Sequence, residues 1–445
     1  MSLTRCWRLW PTADKTVLPC RWLYASLHTS SICKKSHKKL QYSIGNTIEI
    51  LGKSYETDHL TNTTPAILKK VGTNLHNTPG HPLNHICRRI ETYFNSAYVR
   101  RGNPRFSVYN RLSPVVTHEQ NFDSLLVPAN HVSRSPQDSY YINSEYMLRA
   151  HTSAHQRDLV RTGLDAFMVI GDVYRRDAID STHYPVFHQL EAVQLFSDFE
   201  LFSDMPNPES MSLFEPGVRD DNKQERHTLQ TALLLEQTLK SCLEGLMRAL
   251  FGQDLQMRWV GAYFPFTHPS WELEIFYQGE WVEMLGCGVM EQKLVDSAGA
   301  TDKAGWAFGL GLERLAMKLY SIPDIRLFWS TDSGFLTQFK NKNFDEPITY
   351  KPVSKHPQCV NDISFWIPES FSSNDFYDLV RSVAGDLVEQ VTLIDEFVHP
   401  KTGRGSHCYR LVYRHMEKAL TQEEVNSIHQ QIEASAAEQL DVQIR

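Results

Sequence analysis

The chain has 445 residues, 41% of them hydrophobic and 22% charged, with a formal net charge of −7. That length suggests two or three domains of about 100–200 residues and ample material for a large core, and no stretch approaches the roughly 18 apolar residues that cross a bilayer, which argues against an integral membrane protein. Residues 1–39 hold eight Lys/Arg and one acid, so the remainder is more acidic still, at −14, and any contact with nucleic acid must be local. In that N-terminal stretch Arg5, Arg8, Arg21 and a run of lysines alternate with Ser/Thr and apolar patches at Trp7, Leu9, Trp10, Leu23 and Tyr24. The pattern fits a mitochondrial transit peptide and lacks the unbroken apolar core of a secretory signal. A disordered basic arm that binds RNA is the competing reading. Eight cysteines without a Cys-x-x-Cys pair suit free thiols, and His81, His85 and Cys87 lack the further cluster that a zinc site needs.

Leu83 to Phe94 has helical spacing, with Ile86, Ile90 and Phe94 on one side, and a strand is expected from Phe106 to Val116 before the segment closes at Asn121 to Pro128. Glu145 to Arg161 contains His151-Thr152-Ser153-Ala154-His155-Gln156, whose hydroxyl, imidazole and amide can orient an ammonium or carboxylate. No spacing there supports a nucleophilic serine on a strand-turn-helix elbow. From Phe167 to Phe196 the chain alternates as a strand, crosses a polar loop at Asp177 to Pro185 and returns as a second strand. The period of two puts Arg175 on one face of that hairpin, with Phe187, Gln189 and Glu191 sharing a face of the returning strand. A forked guanidinium suits phosphate or carboxylate, an aromatic ring stacks on a base, and a Gln/Glu pair suits an ammonium group. Asp198 to Gln224 reads as a loop and Arg226 to Phe251 as a long helix with Leu229, Leu233, Leu235, Leu239, Leu243 and Leu246 mostly on one side. Phe264-Pro265-Phe266 could clasp an aromatic side chain or simply form a core turn. A hairpin follows with Glu272, Glu274 and Glu283, of which a buried carboxylate could serve magnesium. The glycines of Gly305 to Met317 let backbone approach a ligand, with Arg314 in the first turns of a helix. Ser321 to Lys355 reads as a proline-bearing linker. Beyond it the order is strand, helix, strand, strand, helix, strand, a ferredoxin-like split unit, in which Trp366, Arg410 and Arg414 project to the open sheet face beside a basic loop at His399 to Gly405.

The Arg175, Phe187, Gln189, Glu191 hairpin resembles motif 2 of the class II aminoacyl-tRNA synthetases. With Gly309-Leu310-Gly311-Leu312-Glu313-Arg314 as motif 3, the helix and strand before Pro128 as motif 1 and the C-terminal unit, nearly all the chain after about residue 40 is similar to phenylalanyl-tRNA synthetases of the single-chain mitochondrial type. The resemblance implies an α+β fold, a class II antiparallel-sheet catalytic domain flanked by helices plus a βαββαβ anticodon-binding domain, with expected boundaries at 1–39 for the transit peptide, 40–322, a linker at 323–352, and 353–445. It implies ATP-dependent activation of phenylalanine and its transfer to tRNA-Phe, with ATP and Mg2+, in the mitochondrial matrix, by a monomer without a membrane partner. By that resemblance Arg175 bridges the amino-acid carboxylate and the α-phosphate, and Phe187 and Arg314 enclose the adenine. Gln189 and Glu191 hold the ammonium and border ATP together with Leu190, and Thr182, His183 and Tyr184 close on ATP. His151, Ser153, Ala154, His155 and Gln156 attend the amino acid, Phe264 and Phe266 recognise its ring, and Ala307 and Phe308 border the two pockets. Glu283 is the expected magnesium ligand, and Trp366, Lys401, Arg404, Arg410 and Arg414 the expected tRNA contacts. A biotin or lipoate ligase on the same fold would leave Phe264, Phe266 and the C-terminal unit unexplained, and a catalytically inactive tRNA-binding relative would lack a motif arginine.

Overall fold

The computed structural model describes residues 46–330, 333–340, 342–352, 356–415 and 418–445. The stretch read as a transit peptide and Met416, the expected end of a C-terminal strand, lie outside the described residues. Helix α1 (Pro82–Ala97) begins where His81 accepts from the Leu83 N–H at 3.2 Å and Pro82 takes the first helical position. It buries Leu83, Ile86, Cys87, Ile90 and Phe94. The Nε2 of His81 reaches the Phe328 carbonyl at 2.9 Å, so this histidine caps a helix, and among the described residues no three His, Cys, Asp or Glu gather as metal ligands.

The strand expected over Phe106 to Val116 is instead two pieces. β1 (Ser107–Tyr109) joins the main sheet, whereas Val115–Thr117 pairs separately with Tyr146–Leu148. Pro114 lies between them and brings no N–H to continue a ladder. The core of the molecule is built on β2 (Ala166–Tyr174) and β3 (Val186–Phe196), paired antiparallel with Gly171 opposite Gln189 and Val169 opposite Glu191. Every residue of β2 is buried, so the alternation separates two apolar layers rather than core from water. Met168, Ile170, Leu190 and Ala192 face the main core, while Phe167, Val169, Val193 and Leu195 face a smaller cluster.

Helix α2 (Leu229–Phe251) starts at Thr228, whose side chain accepts from the Thr231 N–H, and covers the main core. Leu235, Leu239, Leu243 and Leu246 are buried, but Leu229 and Leu233, expected on the same side, are 50% and 48% exposed. A meander follows, β4 (Met257–Phe264), β5 (Thr267–Tyr277) and β6 (Glu280–Met290), then β7 (Ala304–Gly311), which leads directly into α3 (Leu312–Tyr320). The sheet order is β4-β5-β6-β7-β3-β2-β1, antiparallel except for the β1/β2 pair. The segment expected as a linker does not leave the core: Ile322, Ile325, Leu327, Phe328, Phe335, Phe339 and Ile348 pack into it. Its prolines, Pro323, Pro347 and Pro352, lie outside helices and strands, while Thr337 and Gln338 sit in a short helix, Ser333–Lys340, beside the anchors Phe335 and Phe339.

The C-terminal unit has its own core and runs β8 (Cys359–Trp366), α4 (Ser373–Ala384), β9 (Val388–Val398), β10 (Gly405–Tyr413), α5 (Gln422–Gln439) and β11 (Gln443–Ile444), with sheet order β9-β10-β8-β11. It docks on the loop between β2 and β3. Arg176 donates to Asp378 at 2.6 Å and to Asp375 at 2.8 Å, Tyr140 donates to Asp378 at 2.8 Å, and the Val391 N–H donates to the Ile179 carbonyl at 3.0 Å. Ile179 itself is buried in the C-terminal core.

Candidate active site

Two cavities open on the sheet face formed by β2, β3, β6 and β7, and Arg175 lines both. The larger, about 370 Å³, is walled by Thr182, His183 and Tyr184 of the β2–β3 loop, Phe187 of β3, and Glu313, Arg314 and Met317 of α3. The narrower one, about 40 Å³, is lined by His151, Ser153, Gln156, Gln189, Glu191, Phe264, Phe266 and Ala307. The register explains the grouping. Phe187, Gln189 and Glu191 stand opposite Val173, Gly171 and Val169, and Arg175 continues the same face past the end of β2.

Arg175 is held at its base, its Nε donating to the Ala150 carbonyl at 2.7 Å, and its guanidinium lies 5.0 Å from the centre of the Phe187 ring. The segment that carries Ala150 is fixed by its neighbour. Arg149, fully buried, donates to Asp172 at 2.9 Å and to Nε2 of His155 at 2.9 Å, lying where a side chain at Gly171 would collide with it. Glu191 accepts from Ser153 and Gln156 through short hydrogen bonds and from Thr152 at 3.3 Å. Burial pushes its carboxyl up to about 7 in spite of these donors. Burial, then the charge of Arg175, lowers His151 to about 3, so its imidazole is neutral. The β2–β3 loop is shaped by Asp180, which accepts from the Thr182 N–H at 2.7 Å, its hydroxyl at 2.8 Å and the His183 ring at 2.6 Å. Burial alone would raise the Asp180 carboxyl, but these bonds hold it at about 2. Phe264 and Phe266 stack at 5.9 Å and 13° on either side of the Pro265 turn.

Four expected residues stand elsewhere. His155 turns back to Arg149 and lines neither cavity, because the short helical turn Thr152–His155 rotates it away from Ser153 and Gln156. Ala154 packs behind the narrow cavity in the cluster that contains Phe264. Leu190 alternates to the opposite face of β3 and belongs to the main core. Glu283 is buried outside both cavities, with Arg314 donating to its carbonyl at 2.8 Å and its carboxylate 3.4 Å from that guanidinium. Gln189, Glu191 and Phe308, expected beside ATP, border the narrow cavity and not the larger one. Sequence reasoning missed Glu313, which receives the His188 backbone N–H at 2.8 Å and its ring nitrogen at 2.7 Å, and Thr267, which borders the narrow cavity. Both sit next to residues that were found, Arg314 and Phe266, and neither carries a periodic signal of its own in the sequence.

On the C-terminal sheet, Trp366 is flanked by the guanidinium groups of Arg404 at 5.3 Å and Arg445 at 4.8 Å, with Phe397 and His399 nearby. Lys401 is exposed in the adjoining turn. Arg410, exposed on the sheet, is ion-paired with Asp362 at 2.8 Å, and Arg414, just past the end of β10, is paired with Glu389 at 3.2 Å.

The family model described as tRNA synthetases class II core domain (F) matches residues 68–204 and 230–339, and the ferredoxin-fold anticodon binding domain model matches 354–445. The chain belongs to the class II aminoacyl-tRNA synthetases. Within them its similarity is to proteins named phenylalanine–tRNA ligase. The mitochondrial one of Mus musculus is 58% identical over 412 residues, 92% of this chain and 91% of that one. The probable mitochondrial one of Drosophila melanogaster is 54% identical over 418 residues, 89% and 92% of the two chains. The alpha subunit of Photorhabdus laumondii is 32% identical over 275 residues, 60% of this chain and 70% of that subunit. Likeness to the mitochondrial synthetases thus extends over both the core and the C-terminal domain, which a biotin or lipoate ligase would leave unexplained.

Proposed function

We propose that the chain is a mitochondrial phenylalanine–tRNA ligase that makes phenylalanyl-adenylate from phenylalanine and ATP and passes the phenylalanyl group to tRNA-Phe. The observation that carries this reading is the position of Arg175, the one side chain among the expected site residues that lines both cavities. Phenylalanine belongs in the narrow cavity and ATP in the larger one. The phenylalanine carboxylate attacks the α-phosphorus, the bond to the bridging oxygen breaks, and pyrophosphate leaves. Arg175 spreads the charge that develops between carboxylate and phosphate, a form of catalysis that depends on positioning and electrostatics. Glu191 and Gln189 receive the ammonium, Phe264 and Phe266 the ring, and Phe187 and Arg314 the adenine, while Thr182, His183 and Tyr184 wall the ATP side. His151 and Ser153, buried in the lining of the narrow cavity, complete its polar end, and the 3′-terminal adenosine of tRNA then takes the phenylalanyl group.

Magnesium in this reading arrives with the triphosphate. Glu283, the expected ligand, lies outside the larger cavity against Arg314, and of the carboxylates that line it, Asp177 and Glu313, the second already accepts from His188, so the residues fit an ion held chiefly by phosphate oxygens rather than a protein cage. When bound it neutralises phosphate charge. Trp366 with Arg404 and Lys401 forms the favoured platform for unpaired anticodon bases, and Arg410 and Arg414, neutralised by carboxylates, contribute less. The joining of both modules in one chain supports a monomer, and the basic N-terminus supports import to the matrix. Arg175→Ala should cut ATP–pyrophosphate exchange by about 10²–10³-fold with an unchanged circular dichroism spectrum. Near-normal exchange would overturn the assignment. For the second module, Lys401→Glu with Arg404→Glu should weaken tRNA binding without touching exchange, and unchanged tRNA affinity would retire that surface.

A further inference from the structure

Strand β6 carries Gly286-Cys287-Gly288, and these glycines lie beneath the turn that presents Phe264 and Thr267 to the amino-acid cavity. A Cβ placed on Gly286 would stand 2.7 Å from Cζ of Phe264 and 3.2 Å from its Cε2. On Gly288 it would stand 2.7 Å from Cβ of Thr267 and 2.7 Å from the Pro269 carbonyl oxygen. Neither glycine has a positive φ, so the backbone path does not demand glycine there and the lack of a side chain is what matters. The Phe264 ring has little space to retreat into. It is 5% exposed, packed in a cluster with Val127, Met147 and Ala154, and stacked on Phe266.

We infer that Gly286 is a specificity-determining residue: it sets the depth of the amino-acid cavity by letting the Phe264 ring lie against bare backbone of β6. A methyl group at this position meets the Phe264 ring and pushes its tip into a space fitted to an unsubstituted aromatic side chain. Gly286 and Phe264 line the narrow cavity and not the larger one, so the effect falls on one substrate only. The inference rests on the assignment of the narrow cavity to the amino acid.

ATP–pyrophosphate exchange with phenylalanine and ATP titrated separately tests it on four proteins: wild type, Gly286→Ala, Phe264→Leu and the double variant. Gly286→Ala is expected to raise KM for phenylalanine at least tenfold while KM for ATP stays within twofold. Leucine lacks the ring atoms that the new methyl meets, so the double variant should match Phe264→Leu within threefold. An unchanged KM for phenylalanine in folded Gly286→Ala overturns the inference, as does a double variant whose losses multiply. Should Gly286→Ala fail to fold, the comparison of Phe264→Leu with the double variant carries the test by itself. A Phe264→Leu protein with unaltered KM for phenylalanine would instead overturn the amino-acid assignment of the cavity, which separates the two failures.

Discussion

Glu191 is where the chemistry of the site is most sensitive to its surroundings. A carboxyl raised to about 7 by burial is partly protonated near neutrality, and a cationic ammonium binds its ionised form better. Protonation therefore competes with phenylalanine: KM for phenylalanine should rise as pH falls through about 7 and level off above it. Exchange kinetics between pH 6 and 8.5 measure this, and Glu191→Gln should remove the pH dependence along with much of the affinity. A flat wild-type profile would show that the carboxyl is already ionised in the free enzyme. Arg175, Gln189 and Glu191 were legible in the sequence because a period of two is enough to place them on one face. Leu190 and His155 were misplaced for the complementary reason. Each is a chain neighbour of a site residue, and neighbours on a strand or tight turn point elsewhere. Arg149 left no signal, since a guanidinium that works from behind the site looks like any surface arginine until its burial is known.

At the scale of the element, helix and strand types followed from periodicity, whereas the face that each buries depended on what packs against it. Helix α2 shows the difference. Leu233 is half exposed and Leu243 fully buried, although both fit the same leucine stripe. Leu243→Ala should cost about 2–5 kcal/mol of stability through the cavity it leaves, and Leu233→Ala less than about 0.5 kcal/mol. Urea unfolding distinguishes these, and equal losses would contradict the packing described. The proline-bearing stretch from Ser321 was misread because turn residues dominate it, while the aromatic and aliphatic anchors that bind it to the core are too widely spaced to show a period. The broken strand near Pro114 is a milder case, in which a residue without an N–H divides one apolar run between two sheets.

Across the whole molecule, the core domain and the C-terminal domain meet on the loop that also walls the larger cavity. Arg176 carries much of that contact, a buried charge set between Asp375 and Asp378. Removing it leaves Asp378 buried with Tyr140 and Arg381 as its remaining partners, a loss of about 3–5 kcal/mol when one member of a buried pair is deleted. Arg176→Ala should therefore split thermal unfolding into two transitions, one for each apolar core, and a single transition at the wild-type temperature would contradict the docking contact. Both folds were legible from the order of elements, but their docking was not, because it depends on loop residues with no periodic signal. The central claim is that one sheet face activates phenylalanine with ATP, and its most direct measurement is ATP–pyrophosphate exchange by protein lacking residues 1–39, with each amino acid offered separately. Exchange that depends on phenylalanine, with weaker leakage from tyrosine, is the expected result. Folded protein that binds tRNA yet exchanges with no amino acid would contradict the account and leave a tRNA-binding protein on a synthetase scaffold.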